Sequence, residues 1–404
     1  MNIAPDIPKP SLMGFTLPVM ALAGALVGYV VGTAKGNVPA GIAGGAAVAA
    51  ALAFVLAAFV PQRTAGRIGA AVVFAALGAA IGGVAGGVAG ILIGLVLSWI
   101  AYWLATGAYR AGVPVYATAG EVLWHNSFRV ICGLIFFFLI APIIIVLPLA
   151  FNAENFFTFT PKMLALDPEG YSLKHFRDFL SNPDWTRPLK NSFIIAPLAT
   201  IISVSLGTLA AIGLSQSHVP GRRAIMAILI SPMIVPLIIS ATGMFFFYSK
   251  LGIWMEDTVG LSKDISGYIK VVLAHSVLGI PFVIITVTAT LVGFDRSLTR
   301  AAANMGAGPV RTFFKVQMPL IMPGVISGAL FAFITSFDEV VVVLFVGSAS
   351  QKTLPWQMFT GLREQISPTI LAVAAVLVAF SVVLLTTVEL LRRRSERLRG
   401  MSPT

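Results

Sequence analysis

The stretch TRAAANMGAGPVRTFFKVQMPLIMPG, residues 299–324, begins with small side chains, continues with cations and ends in prolines that open an apolar run. It carries too little charge for a free solvated loop and too many breaks for a membrane span. Small residues let another helix or protein approach the backbone closely. The pattern predicts a first helix from about Leu298, ended by Gly308 and Pro309, and a second short helix at 310–317.

The rest of the chain has the composition of an integral membrane protein. Of its 404 residues, 57% are hydrophobic and 11% are charged, against about 25% charged residues in soluble domains. The long apolar runs lack the alternation of barrel strands, which predicts an all-α polytopic membrane fold. The net charge of +11 could suggest nucleic acid. The basic residues lie in short loops between apolar runs, however, so we expect no nucleic-acid partner.

Six apolar runs occupy the C-terminal two thirds of the chain. They are 130–150, 191–214, 224–248, 269–292, 319–346 and 367–391. Arginine and lysine concentrate after the second, fourth and sixth runs, and the positive-inside rule places those loops in the cytoplasm. We therefore expect the stretch at 299–324 and the C-terminus to be cytoplasmic, and the long loop at 152–190 to lie outside. The terminal RRRSERLR is expected to lie against anionic membrane lipid.

Residues 1–110 are rich in alanine and glycine, and we interpret them as an N-terminal extension to a domain at 111–404. Runs at 14–34 and 40–60 each predict one span. The base Lys9 stands alone in the n-region and no clear cleavage site follows, which favours an anchor over a cleaved signal peptide.

A third run of the extension, 68–106, is too long for one span. As a single helix it would measure nearly 60 Å at about 1.5 Å per residue, roughly twice the hydrocarbon thickness. A hairpin at GGVAGG, residues 82–87, would divide it, giving about four extra helices and ten spans in all. Alternatively one tilted helix fills the run. The glycines that recur every four residues would then mark close helix contact instead of a turn.

The segment RAAANMGA, followed by FKVQMPLIMPG, resembles the EAA motif of permease subunits of ABC importers. The family pattern is roughly EAA, three residues, glycine, a hydrophobic stretch and proline. Arg300 stands where the family has glutamate. The resemblance implies a cytoplasmic coupling loop at 294–318 that docks in a cleft of an ATP-hydrolysing subunit. Its predicted docking residues are Arg300, Ala301, Ala302, Gly306 and Ala307.

The segments TSFDEVVVVLFV at 335–346 and TLPWQMFTGLREQISPT at 353–369 resemble the second permease subunit of the spermidine/putrescine importers. The resemblance covers about 125 to 395. It implies the six-helix core of type I importers, the MetI-like fold, in a bacterial inner membrane. It also implies a homologous permease partner, ATP-binding subunits that use ATP and Mg, and a periplasmic solute-binding protein. This chain itself would bind no cofactor, and the solute would be a small cation such as a polyamine.

Two adjacent acids, Asp338 and Glu339, lie near the end of the fifth run. A helix from Pro323 would rise about 22 Å to reach them, beyond mid-membrane on the outer side. Because a charge facing lipid costs roughly 2.5 to 3.5 kcal/mol, at least one acid should face a polar cavity. On a continuous helix Thr335 would share a face with Glu339, with Ser336 nearby. These residues predict a path for a cationic solute; alternatively one acid pairs with a base at the outer interface.

Aromatic side chains gather near the predicted outer boundary, and one histidine lies in the fourth run. Trp254, Trp356, Tyr248 and Tyr268 fit an aromatic belt; use as a cage for a cation is the alternative. His275 has apolar neighbours in the sequence and is interpreted as an interior histidine with satisfied hydrogen bonds.

Motifs for catalysis are absent from the sequence. No G-x-x-x-x-G-K-[ST] occurs, so the chain has no phosphate cradle and we expect ATP hydrolysis in a separate subunit. H-E-x-x-H and G-x-S-x-G are also missing, and four histidines with the single Cys132 offer little for a metal or nucleophile centre. A stand-alone secondary transporter and an ABC permease for another small organic solute remain the alternative functions. A membrane-embedded enzyme would need a catalytic constellation that the sequence lacks.

Overall fold

The computed structural model describes residues 11–114, 116–215, 219–295, 297–364 and 367–398. In this part of the chain, nine helices are long and apolar enough to cross a membrane. The all-α polytopic fold expected from the apolar runs is confirmed.

Two compact units divide the chain, Met1–Ser172 and Leu173–Thr404. The first contains α1 (Leu17–Lys35), α2 (Val38–Phe59), α3 (Arg63–Ala105), α4 (Ala119–Leu149) and α5 (Pro161–Leu164). The second contains α6 (Lys174–Ser181), α7 (Pro183–Ser215), α8 (Arg222–Ile234), α9 (Leu237–Asp257), α10 (Lys263–Val292), α11 (Ser297–Asn304), α12 (Pro309–Thr312), α13 (Met318–Phe337), α14 (Val341–Val346), α15 (Leu354–Glu364) and α16 (Thr369–Leu398). The domain boundary between residues 110 and 111 rests on the sequence and stays a prediction.

The long helix α3 is a hairpin. Its backbone leaves the helical region at Gly82 (φ −137°, ψ 22°) and Gly83 (φ 62°, ψ −149°). Gly78 and Gly86, each four residues from Gly82, lie so close that a Cβ on either would collide with the backbone of the other. Only an antiparallel return brings them together. The hairpin predicted at 82–87 is therefore present, and the glycine repeat is the contact between its two arms. The alternative of one tilted helix through the run is wrong, although its expectation of close glycine contacts is met between the two arms.

The helices α1 and α2 form a second glycine-packed hairpin in the same unit. Gly28 of α1 lies against the backbone of Gly41, and Gly24 against Gly45, with no room for a side chain at these contacts. Asn37 caps the start of α2, where its side chain accepts a hydrogen bond from the backbone N–H of Ala40. Without side chains between them, the two backbones approach as closely as small-residue interfaces in membranes allow.

The second unit is centred on α7, α10 and α13. Small residues again set the contacts: Gly207 of α7 faces Val283 of α10, and Gly324 and Gly328 of α13 face threonines of α10. The buried apolar residues at this interface are Ala211, Val283, Val287, Ile321, Val325 and Ala332. This packing supports the segment between α10 and α13, which contains residues 299–317 of the stretch quoted at the start.

Two of the predicted continuous spans are broken. The run at 224–248 is divided between α8 and α9, because Val235 is extended (φ −68°, ψ 138°) in front of Pro236. Proline disfavours the helical conformation in the residue before it, which explains the break. The run at 319–346 is divided after Phe337, where α13 ends. The prediction of one helix through each run is wrong at these two places.

Candidate functional site

The alanine-rich helix α11 ends in a Schellman turn. The backbone N–H of Ala307 donates to the carbonyl of Ala302 at 3.0 Å, and that of Gly306 donates to the carbonyl of Ala303 at 2.9 Å. Gly306 has φ 79°, the left-handed conformation that this turn requires. The glycine of the motif therefore has a backbone role, beyond the lack of bulk that the sequence suggested.

The second half of the segment between α10 and α13 starts at Gly308 and Pro309, where the first helix was expected to end. Gly308 is extended (φ −67°, ψ 165°), and Pro309 opens α12 instead of ending α11. The prediction that these two residues end the first helix is corrected, because the Schellman turn ends it earlier. After α12, Phe313–Gln317 form a π-helical turn that leads into α13. The hydroxyl of Thr312 donates to the carbonyl of Ala307 at 3.4 Å and ties the two halves together.

The five predicted coupling residues lie together on this segment. Arg300, Ala301 and Gly306 are exposed, whereas Ala302 and Ala307 are half-buried. The exposed alanine and glycine leave the helix backbone within reach of a partner, which is what a closely fitting cleft requires.

Larger apolar residues on the same segment are also exposed, and the sequence analysis did not single them out as contacts. Met305 is 88% exposed, Val310 71% and Phe314 60%. Exposed apolar patches on a folded protein commonly mark interaction surfaces. Together with the small residues, these three side chains define what we name the coupling surface. The sequence did contain a signal for this surface: Met305, Val310 and Phe314 are apolar residues in a loop outside the predicted spans.

The charge of the loop is mainly positive among the described residues. Arg300, Arg311 and Lys315 are exposed. Asp295 accepts two hydrogen bonds from Ser297, one from its hydroxyl at 2.7 Å and one from its backbone N–H at 2.8 Å. The hydroxyl of Ser297, then its backbone N–H, and Arg300 hold the pKa of Asp295 below its usual value. The carboxylate of Asp295 therefore stays ionised and fixes the start of α11.

The two acids of the predicted path lie in different environments. Glu339 is 7% exposed, and its carboxylate accepts a hydrogen bond from the backbone N–H of Val342 at 2.8 Å. It therefore caps α14, whose first N–H groups have no partner within the helix. Asp338 is exposed. Because α13 ends at Phe337, the expectation that Thr335 and Glu339 share one face of a continuous helix is wrong.

Ser336 pairs with the buried His275. Nδ1 of His275 lies 2.9 Å from the hydroxyl of Ser336 and 3.1 Å from its carbonyl oxygen. Ser336 is 3% exposed and His275 is fully buried, so this pair belongs to the helix interface. Among the described residues, Nε2 of His275 has no hydrogen-bond partner. We expected both ring nitrogens to be hydrogen-bonded, and only Nδ1 is.

Aromatic rings adjoin the end of α13. Phe337 lies with its ring centroid 5.4 Å from that of Phe193 and 5.4 Å from that of Phe380. Phe333 stacks on Phe337 at 5.5 Å. The exposed carboxylate of Asp338 follows directly in the chain. In the part of the chain that the structure describes, no group of three or more His, Cys, Asp or Glu residues could hold a metal ion.

The second unit matches a known family. A family model described as "Binding-protein-dependent transport system inner membrane component" matches residues 203–398. This part of the chain is a permease domain of the binding-protein-dependent ABC transport family. Such a permease is a multi-pass membrane subunit that works with a binding protein, and ATP is hydrolysed by a separate subunit. The coupling surface lies inside the matched residues, and residues 1–110 lie outside them.

Individual relatives are similar over most of their own length. The permease resembles the spermidine/putrescine transport system permease protein PotC of Haemophilus influenzae, with 28% identity over 67% of this chain and 97% of that protein. It is also 28% identical to the putrescine transport system permease protein PotI of Escherichia coli K12, over 63% of this chain and 86% of PotI.

A solved structure supports the fold. The match is to a chain of a bacterial ABC transporter that imports the acidic polysaccharide alginate, with a TM-score of 0.50 and 16% identity, covering 69% of this chain and 98% of that chain. At this identity the likeness concerns the fold alone. It agrees with the MetI-like permease core expected from the resemblance.

Proposed function

We propose that this permease moves a small cationic organic solute, a polyamine such as spermidine or putrescine, across a bacterial inner membrane. The observation that supports this solute class is the similarity along 97% of a spermidine/putrescine permease. The permease would pair with a homologous permease, with ATP-binding subunits and with a periplasmic solute-binding protein. Its C-terminus and coupling surface would face the cytoplasm.

The coupling surface would carry the motion of the ATPase into the membrane helices. The Schellman turn at Gly306 gives this segment a defined shape, and Thr312 links its two halves. The π-helical turn at Phe313–Gln317 joins it directly to α13, which packs on α10 through Gly324 and Gly328. A push on the loop would therefore reach the helix that ends at Asp338.

Asp338 is the best candidate in this chain for a transient counter-charge to the solute. It is exposed, it follows the aromatic cluster at Phe337, and aromatic faces also attract organic cations. Glu339 supports this site by capping α14, and Ser336 supports it through His275. Thr335, half-buried near the end of α13, stays a candidate lining residue.

Uptake by the reconstituted importer tests the proposal. The permease, its partner permease, the ATPases and the binding protein would be placed in proteoliposomes, and uptake of labelled spermidine, putrescine and a neutral organic solute would be measured with and without ATP. We expect ATP-dependent uptake of a polyamine. Uptake of only the neutral solute would reject the polyamine assignment. Uptake by this chain alone, driven by an ion gradient, would instead identify a secondary transporter.

A further inference from the structure

An apolar cavity of about 400 Å³, open to the surface on one side, lies between the two glycine-packed hairpins of the first unit. One wall is the α1–α2 hairpin and the other is formed by the two arms of α3. The larger side chains on the walls include those of Val31, Val48, Phe74, Leu77, Ile81 and Ile93. Its size falls in the range of roughly 300–1,000 Å³ that is usual for ligand pockets.

The apolar packing between the two hairpins lies to one side of the cavity. There, Met20 of α1 and Ala53 of α2 pack against Leu97 and Tyr102 of α3. At the cavity, each hairpin is closed within itself by glycine contacts such as Gly28 with Gly41. The side chains on the two facing walls do not fill the space between the hairpins. Gly44 lines the cavity, and a Cβ added there would meet nothing within 4 Å.

The chemistry of the walls selects the occupant. A buried water needs two to four polar partners, and aliphatic side chains, a phenyl ring and glycine offer almost none. An empty apolar space would forfeit the dispersion contacts of its lining. The helices around it are candidate membrane spans, so the apolar molecules that surround them are lipid acyl chains.

A cation stands at the mouth of the cavity. The ammonium of Lys35 donates a hydrogen bond at 2.9 Å to the carbonyl of Ile81, a residue of the lining that directly precedes the break in α3. Lys35 is exposed. An ammonium has three donors, so two remain for a further acceptor such as a lipid phosphate.

We propose that this cavity binds one acyl chain of an anionic phospholipid, with the lipid phosphate held by Lys35. The lipid would fill the space between the hairpins and fix their separation. This site lies outside the residues of the permease family match, and the proposal does not depend on the solute that the permease carries.

Lipid retention tests the site directly. The full-length chain, purified in mild detergent, would be incubated with phosphatidylglycerol or phosphatidylcholine of equal chain length, and bound lipid would be counted by native mass spectrometry. We expect one tightly held phosphatidylglycerol, preferred over phosphatidylcholine by about fivefold. A preference of this size is what the attraction of one basic residue for an anionic lipid gives. Equal retention of the two lipids, or none, would overturn the proposal, as would a second copy of this chain in the cavity, visible as a dimer.

Three variants separate the acyl site from the headgroup site. Gly44→Leu places a side chain in the cavity and should abolish retention. Lys35→Gln should keep the acyl site but remove the preference for phosphatidylglycerol. Gly133→Leu on α4, where a Cβ also meets open space, is the matched control and should behave as wild type. Retention by Gly44→Leu equal to that of the control would overturn the proposal. If Gly44→Leu does not fold, Val48→Phe fills the same cavity and is judged by the same criterion.

Discussion

Gly306 is held at φ 79° in a turn that ends α11. A Cβ in the left-handed region costs roughly 1–2 kcal/mol, and asparagine tolerates it better than alanine does. We expect Gly306→Ala to shift the turn and weaken binding of the ATP-hydrolysing subunit, and Gly306→Asn to have a smaller effect. Gly308→Ala is the matched control, since Gly308 has φ −67° and open space around its Cβ position. Equal losses of binding in the alanine variants at 306 and 308, measured by co-purification, would contradict the role of backbone conformation.

Substitutions of the adjacent acids Asp338 and Glu339 should have different effects: one should lower stability and the other should lower transport. Glu339→Ala leaves the buried N–H of Val342 without an acceptor, which costs about 1–3 kcal/mol and should lower the thermal unfolding temperature. Asp338→Asn changes an exposed side chain and should change the free energy of unfolding by no more than about 0.5 kcal/mol, with little shift in that temperature. The same Asp338→Asn variant should reduce ATP-driven polyamine uptake. Normal uptake by Asp338→Asn would remove Asp338 from the solute path.

The coupling surface is a small exposed apolar patch formed by α11, α12 and the π-helical turn. Met305 is 88% exposed on it. Central apolar residues of an interface often contribute more than 1 kcal/mol to binding, so Met305→Glu should weaken ATPase binding by about tenfold. Val259→Glu, at an exposed apolar position in the loop before α10, is the control and should bind as wild type. Titration of purified ATPase onto the detergent-solubilised permease measures both. Unchanged binding by Met305→Glu would exclude its side chain from the contact.

The positions of the helices were more predictable from the sequence than the residues at which they end. The hairpin of α3 was predictable, because the run is too long for one span and glycines mark both the bend and the contact between its arms. The break before Pro236 had a visible cause in that proline, yet the uninterrupted hydrophobicity around it favoured one helix. The end of α13 at Phe337 was not predictable from periodicity. It depends on a buried carboxylate, Glu339, that accepts a hydrogen bond from the first turn of a separate helix.

The candidate site was predicted in position but not in detail. The small residues of the motif pointed to the segment that we propose as the coupling loop, since a pattern of alanine and glycine is visible without a structure. The exposure of Met305 and the left-handed backbone of Gly306 depend on how α11 ends. The pairing of Ser336 with His275 joins two helices 61 residues apart in sequence. Such a contact depends on how α10 packs against α13, which no local pattern encodes.

For the whole molecule, glycine performs one physical task in both units: it brings helix backbones together where lipid supplies no hydrophobic force to do so. In the first unit the glycines close each hairpin separately. In the second unit they join α10 to α7 and α13. The first arrangement leaves a cavity between hairpins, whereas the second is the contact through which we propose that displacement of the coupling loop is transmitted. Glycine thus closes separate hairpins in the first unit and joins three helices in the second.

The hairpin in α3 and the positive-inside rule together predict how the chain crosses the membrane. With its arms as separate spans, the tip near Val84 and the coupling surface at Met305 should lie on opposite sides of the membrane. The single cysteine, Cys132, can be replaced by serine, and Val84→Cys or Met305→Cys introduced one at a time; both positions are exposed. A membrane-impermeant thiol reagent should label residue 84 in intact spheroplasts and residue 305 only in inverted vesicles. Labelling of residue 84 from the cytoplasmic side alone would mean that the extension crosses the membrane an odd number of times, and the N-terminus would then lie outside.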